Sequence, residues 1–185
     1  MAAGGNPENI ALGAGRIYVA DVATAEPVSA SAVLPSAWRP IGYTEDGTTI
    51  TTELTNEEIE VAEEYDPVLY VMTKRKIMLS IQMAEATRRN LVLALGGVAA
   101  ALNDASSYEP PDPGQEEGFK VVWDSEEVPG PENIRWVFRK CKISGSIEMQ
   151  RNKAPNKALI PVEVNVEKPA GQAPFIVFPN ANGLI

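Results

Sequence analysis

Between Val68 and Glu85 the chain alternates in a way that leaves few choices of fold. The odd positions Val71, Thr73, Arg75, Ile77, Leu79, Ile81 and Met83 oppose Lys74, Lys76, Ser80 and Gln82. From Arg75 onward one face is apolar and the other polar, the period of a half-buried β-strand. A second long run, Ile134 to Arg151, repeats the pattern. Val137, Cys141, Ile143, Ile147 and Met149 form its expected apolar face, and Lys140, Lys142, Ser144, Ser146, Glu148 and Gln150 its polar one. Shorter extended segments are expected at Gly15–Ala20, Trp38–Tyr43, Phe119–Asp124, Ala158–Glu167 and Phe175–Phe178. The chain is therefore expected to be mainly β.

One segment changes period. In Ala86–Leu95, Thr87 can cap a helix, Leu91 and Leu95 sit four apart, and Gly96-Gly97 supplies a stop. About eight strands with one helix near 87–95 read as a two-sheet sandwich or partly open barrel with a flanking helix. The organisation expected is an N-terminal arm (1–14), a single domain (15–178) and a C-terminal tail (179–185). Residues 21–37 and 103–118 have loop composition. A loop as long as 103–118 is usually either disordered or functional.

Ahead of the first long run lies an unusual stretch, Glu45 to Asp66. It carries nine acids (Glu45, Asp46, Glu53, Glu57, Glu58, Glu60, Glu63, Glu64 and Asp66) and no Lys or Arg. The 185-residue chain has 25 acids and 16 bases, so without this stretch it is neutral. Two readings compete for it. As strands, Thr48–Leu54 places Ile50 and Leu54 opposite Thr49, Thr51 and Glu53. A turn follows at Thr55-Asn56-Glu57, and Ile59, Val61 and Tyr65 then oppose Glu58, Glu60 and Glu64. As a helix, Thr55 would cap with Glu58, and Leu54, Val61 and Tyr65 would share a stripe. The run Thr-Thr-Ile-Thr-Thr favours strands.

Composition removes several function classes. The chain has no His, which excludes His-based acid–base catalysis and Ser-His-Asp triads. Its one Cys, Cys141, excludes an intrachain disulfide and multi-Cys metal sites, and is expected to be a buried, inert thiol. The acidic balance argues against gripping phosphate. No apolar run approaches membrane-spanning length and no leader pattern opens the chain, so folding in a cytoplasm is expected. Glu58, Glu60, Glu63 and Glu64 could pair as in glycosidases, but no aromatic platform for sugar accompanies them. Asp46-Gly47 does not match the spacing of an EF-hand. No catalytic, cofactor or metal site is expected. Lys74, Arg75 and Lys76 form a basic run that reads either as ordinary surface or as a partner for acids on a neighbouring subunit.

What remains is assembly. Long strands leave edges that must be hidden, and pairing them with copies of the chain around a ring would close a large barrel. The order of motifs supports this. Trp38-x-x-Ile41-Gly42-Tyr43-Thr44-Glu45-Asp46-Gly47 leads into a Thr/Glu-rich segment. A long strand follows, ending Ile77-x-Leu79-x-Ile81-x-x-Ala84-Glu85-Ala86-Thr87, then the helix from Asn90-Leu91 to Leu95-Gly96. Over residues 15–97 this order resembles the major tail tube protein of long-tailed, non-contractile (siphovirus-type) bacteriophages.

The resemblance implies a virion protein that self-assembles as stacked homohexameric rings whose strands join one continuous inner barrel. It implies contact with a tape-measure protein, a baseplate hub and a tail terminator, and passage of double-stranded DNA without specific binding. Assembly would occur in the host cytoplasm, without membrane insertion, and no enzymatic activity or cofactor is implied. Residues 1–14, 21–37, 103–118 and the tail are the candidates for ring-to-ring contacts. Many relatives carry an immunoglobulin-like domain at the C-terminus, and none is expected here, since the sequence stops at Ile185. An acidic, hydrated lumen would repel phosphate within a Debye length of about 8 Å, and Thr49, Thr51, Glu53, Glu58, Glu60 and Glu64 are the expected lumen-facing residues. Glu57, Glu63 and Asp66 would face either the lumen or Lys74, Arg75 and Lys76 of a neighbour. The alternatives are the inner tube of a contractile injection apparatus, which shares the fold, and a small-ligand-binding β-barrel, which predicts a monomer with a closed apolar cavity.

Overall fold

The computed structural model describes residues 15–97, 108–112, 114–115, 118–125, 133–145, 147–148 and 158–179. The expected arm (1–14), most of the tail and much of the 103–118 loop lie outside them. The elements are β1 (Arg16–Asp21), β2 (Arg39–Pro40), β3 (Thr44–Ile59), β4 (Leu69–Met83), α1 (Arg88–Ala94), β5 (Phe119–Asp124), β6 (Arg135–Ser144), β7 (Ile160–Val166) and β8 (Phe175–Phe178). The protein is mainly β with one helix. All strand pairs are antiparallel, in the order β2-β1-β5-β6-β7-β4-β3, with β8 also on β6.

The sheet branches at β6. Arg135–Phe138 pair with β8, whereas Cys141–Ser144 pair with β7. On the other side β5 follows both halves, with Val121 opposite Phe138 and Phe119 opposite Cys141. One extra residue on β6 between those pairs makes a bulge, which bends a strand and switches its faces. Sequence alternation places Val137 and Cys141 on one face. The bulge separates them: Cys141 packs in the main core, and Val137 packs with Ala20, Trp38 and Val122 on the far side of the sheet.

The main core lies between the two branches. Ile77, Leu79, Ile81 and Met83 of β4 meet Ile160, Val162 and Val164 of β7, with Ile17, Val19, Phe119, Val121 and Phe138 completing it. The helix closes this core with Val92, Leu93 and Ala94. That is a different face from the expected Leu91/Leu95 pair, since Leu95 is exposed. The reason is Asn90, which is buried and donates from Nδ2 to the carbonyls of Ile41 and Glu85, both at 2.8 Å. These two bonds fix the rotation of α1. Its ends are closed as expected: Thr87 Oγ1 accepts from Asn90 N–H at 3.2 Å. Gly96 (φ +82°) and Gly97 donate to the carbonyls of Leu93 and Val92.

The far side of the sheet is covered by the 21–37 segment. It has no regular structure apart from turns, but side chains from the sheet tie it down. Arg135 is fully buried, bonded twice to Asp124 at 2.6 and 2.8 Å, and donates from Nη1 to the carbonyls of Ser29 and Ala32. Asn133 donates to the carbonyl of Ala30, Lys120 to that of Thr24, and Trp38 Nε1 to that of Ala25. Glu26 accepts from Arg139 and pairs with Lys120. Irregular backbone needs such partners when it lies against a sheet.

Removing one member of a buried ion pair strands the other's charge. Asp124→Ala is expected to destabilise the free subunit by about 3–5 kcal/mol in urea unfolding. The double variant Asp124→Leu/Arg135→Met loses less, because no charge is left buried. A single variant as stable as the double contradicts this account of the 21–37 segment as a strap across the sheet.

Candidate assembly surface

β3 and β4 form a hairpin far longer than the core that supports it. The 16 residues of β3 and 15 of β4 pair from Thr44–Met83 outward to Ile59–Leu69. On its other side β4 pairs with β7 only from Met78 to Met83. Beyond Ile77 the hairpin is a two-stranded ribbon with every residue from Thr51 to Lys76 exposed, apart from the half-buried Pro67. β3 is also the end strand of the sheet, so one row of its backbone groups has no strand partner among the described residues.

The expected turn at Thr55-Asn56-Glu57 is absent, because β3 runs through it. β4 absorbs the irregularity instead. Thr73 is an extra residue between the Thr55–Lys74 and Asn56–Met72 pairs, and its hydroxyl donates to the Thr55 carbonyl at 3.3 Å. The chain reverses over residues 60–68, closed by Val68 N–H to the Ile59 carbonyl at 2.9 Å. Asp46-Gly47 lies in a bulge of β3 between Thr44 and Thr48, with Gly47 at φ +78°.

The register sorts the predicted residues onto faces, because directly opposed residues share a side. Thr49, Thr51 and Glu53 lie on one face, opposite Ser80, Met78 and Lys76. Lys74 is on that face as well, across from Thr55, as is Glu57, across from Val71. Arg75 is on the other face opposite Leu54, with its guanidinium 6.0 Å from the Phe175 ring centre. Glu58 is also on that second face, opposite Tyr70. Glu60, Glu63, Glu64 and Asp66 belong to the turn. The structure thus brings Thr49, Thr51 and Glu53 together and sets Glu58, Glu60 and Glu64 apart from them. It also splits the basic run.

What sequence reasoning missed is the apolar character of the ribbon. Leu54, Ile59, Leu69, Tyr70, Val71 and Met72 are all exposed, Tyr70 at 59 % and Leu54 at 57 %. At the turn Tyr65 is fully exposed. The signal was present in Val68-Leu69-Tyr70-Val71-Met72, five apolar residues without alternation, which means apolar side chains on both faces. An isolated two-stranded ribbon is marginal in water, and one exposing this much apolar surface marks a contact site.

The surface offers little chemistry. Among the described residues no cluster of three His, Cys, Asp or Glu could hold a metal ion, and no helix is long and apolar enough to cross a membrane. The Cys141 thiol is pushed well above its ordinary range by burial, with the Glu167 charge adding and a backbone hydrogen bond with Val121 opposing.

The family model described as "Phage tail tube protein" matches residues 2–178. The chain belongs to the phage tail tube proteins. As a member of that family it is a structural component of the virion tail and works as part of a multi-subunit assembly. No curated protein matches it. Among solved structures, a chain in the cryo-EM structure of the anti-feeding prophage baseplate, 6-fold symmetrised, is similar at a TM-score of 0.46 and 9% identity. That match covers 89% of this tail tube protein and 92% of the other chain.

The exposed side chains of Tyr70 and Met72 contribute little to packing within the subunit. Tyr70→Ser and Met72→Ser are expected to change the stability of the free subunit by no more than about 0.5 kcal/mol. Leu79→Ala, in the core half of the same strand, costs about 2–5 kcal/mol. Chemical denaturation below the assembly concentration separates them, and comparable losses at both ends would mean the ribbon is packed inside its own subunit.

Proposed function

We propose that the protein assembles as hexameric rings that stack into the tail tube, a conduit for DNA delivery. The observation that supports this reading most directly is the β3–β4 ribbon. It leaves its subunit with apolar side chains on both faces and a free edge strand. A neighbouring copy in a ring would supply the missing strand partner and cover the apolar surface, so that six inner sheets join as one barrel. The tape-measure protein would occupy the lumen during assembly, with a baseplate hub and a tail terminator at the ends. Assembly would take place in the host cytoplasm.

In this reading the face bearing Thr49, Thr51 and Glu53 is turned to the lumen. Around these three residues it is mostly polar, with Lys76 and Lys74 interleaved and Met78 opposite Thr51. Such a wall gives transiting phosphate no dense positive track to bind. Glu58, on the opposite face, and Glu60 and Glu64, in the turn, would instead serve contacts between subunits.

Two measurements test the proposal. Negative-stain imaging of concentrated protein should show hollow tubes built from six-fold rings, and a monomer with a closed apolar cavity at every concentration would refute it. Phage carrying Thr49→Lys, Thr51→Lys and Glu53→Lys together should build normal tubes but eject DNA more slowly. That deficit should shrink as salt is raised from about 50 to about 200 mM, since phosphate contacts weaken with salt. Ejection at the wild-type rate at low salt places these residues away from the lumen.

A further inference from the structure

The turn of the ribbon carries an aromatic side chain with no packing partner among the described residues. Tyr65 is fully exposed, and Glu64 and Asp66 flank it. Glu60 and Glu63 complete the turn, and no ion pair joins any of these acids to a base among the described residues. An aromatic ring held out to water between carboxylates has the composition of an interface anchor with a charged rim.

A site of complementary character lies at the opposite end of the ribbon. A cleft of about 500 Å³ is walled by Pro40, Ile41 and Gly42 on one side and by Arg88, Arg89 and Asn90 on the other. Arg88 and Arg89 are exposed, and neither has an ion-pair partner among the described residues. Glu85 also lines the cleft, but its carboxylate is engaged with backbone, accepting from Tyr43 N–H at 3.0 Å. Gly42 (φ +85°) keeps that approach open, since a Cβ there would collide with the Glu85 carboxylate. Exposed Pro40 supplies the apolar wall, with Ile41 buried behind it, and Arg88 and Arg89 outnumber Glu85 to leave the rim net positive.

The turn cannot reach this cleft within one chain. The cleft sits at the Thr44–Met83 end of the hairpin, and the turn lies beyond Ile59–Leu69. Fourteen residue steps along β4 at about 3.3 Å each separate them by about 45 Å. Two complementary surfaces that cannot meet within one subunit can meet between copies, and the cleft is large enough for an aromatic ring.

We infer that the ribbon turn of one subunit docks into the Ile41–Arg89 cleft of a second copy of this chain, with Tyr65 in the cleft and Glu64 and Asp66 against Arg88 and Arg89. The inference rests on the ring-and-tube reading and adds a partner site to it. Docking here fixes where the far end of each ribbon lands, and so sets the offset between neighbouring subunits.

The test uses the full-length protein with paired cysteines at Glu63→Cys and Ala86→Cys, both exposed positions beside the docking elements. Cys141, buried and protonated, does not interfere. Under mild oxidation the double variant in assembled tubes should give a ladder of disulfide-linked chains in denaturing gels, whereas each single variant stops at dimers. In parallel, Arg88→Glu/Arg89→Glu should raise the concentration needed for assembly by about tenfold or more. Adding Glu64→Arg/Asp66→Arg in the same chain should recover much of that loss. Tubes without a ladder, or charge reversals without effect, overturn the docking and leave the tube reading intact. Wild-type protein that forms no assembly at all overturns both.

Discussion

Strand β4 meets two different requirements along one length, and the rest of the molecule follows from that division. Its inner half is paired on both sides, by β3 and β7, and buries Ile77, Leu79, Ile81 and Met83. Its outer half has β3 alone and buries nothing. Each fully buried aliphatic in the inner half contributes on the order of 1.5–3 kcal/mol relative to exposure. The inner half therefore holds the hairpin rigidly to the subunit while the outer half stays available. The contacts proposed between subunits use the half that is not stabilised by its own chain.

A projecting ribbon needs a stiff base, and the far side of the sheet provides it. Arg135 and Asp124 form a buried pair whose remaining donors are spent on the strap carbonyls at Ser29 and Ala32. Buried pairs of this kind give little net stability but penalise every arrangement that leaves them unmatched. Here the penalty fixes one position for a segment that has turns but no helix or strand. The strap presents Val28 and Val33 almost fully to solvent from a backbone that is already ordered. A contact made there would require little further ordering of the backbone.

The strands, the helix caps and the core of β4 and β7 were legible in the sequence because alternation and capping are local signals. Thr87, Gly96 and the Ile160–Val164 face required nothing beyond spacing. Three features were hidden because they depend on distant partners. The bulge in β6 that parts Val137 from Cys141 exists where β5 and the branch to β7 and β8 meet it. The rotation of α1 is set by Asn90 reaching Ile41 and Glu85, far from any helical period. The continuity of β3 through Thr55-Asn56-Glu57 comes from Thr73, on the opposite strand. In the acidic stretch, charge density alone drew attention to the carboxylates. The register shows that Glu53 and Glu58 face opposite ways, and that Leu54, Tyr70 and Met72 share their exposed surface.

The central claim is that the backbone edge and apolar side chains of residues 51–76 are open in the free subunit and paired or covered in the assembly. Hydrogen exchange measured on both forms tests it directly. In the free subunit, amides of the outer ribbon should exchange with low protection while Ile77–Met83 exchange only on global unfolding. In assembled tubes the outer ribbon should become as protected as the core. Tubes in which residues 51–76 exchange as freely as in the monomer would contradict the account.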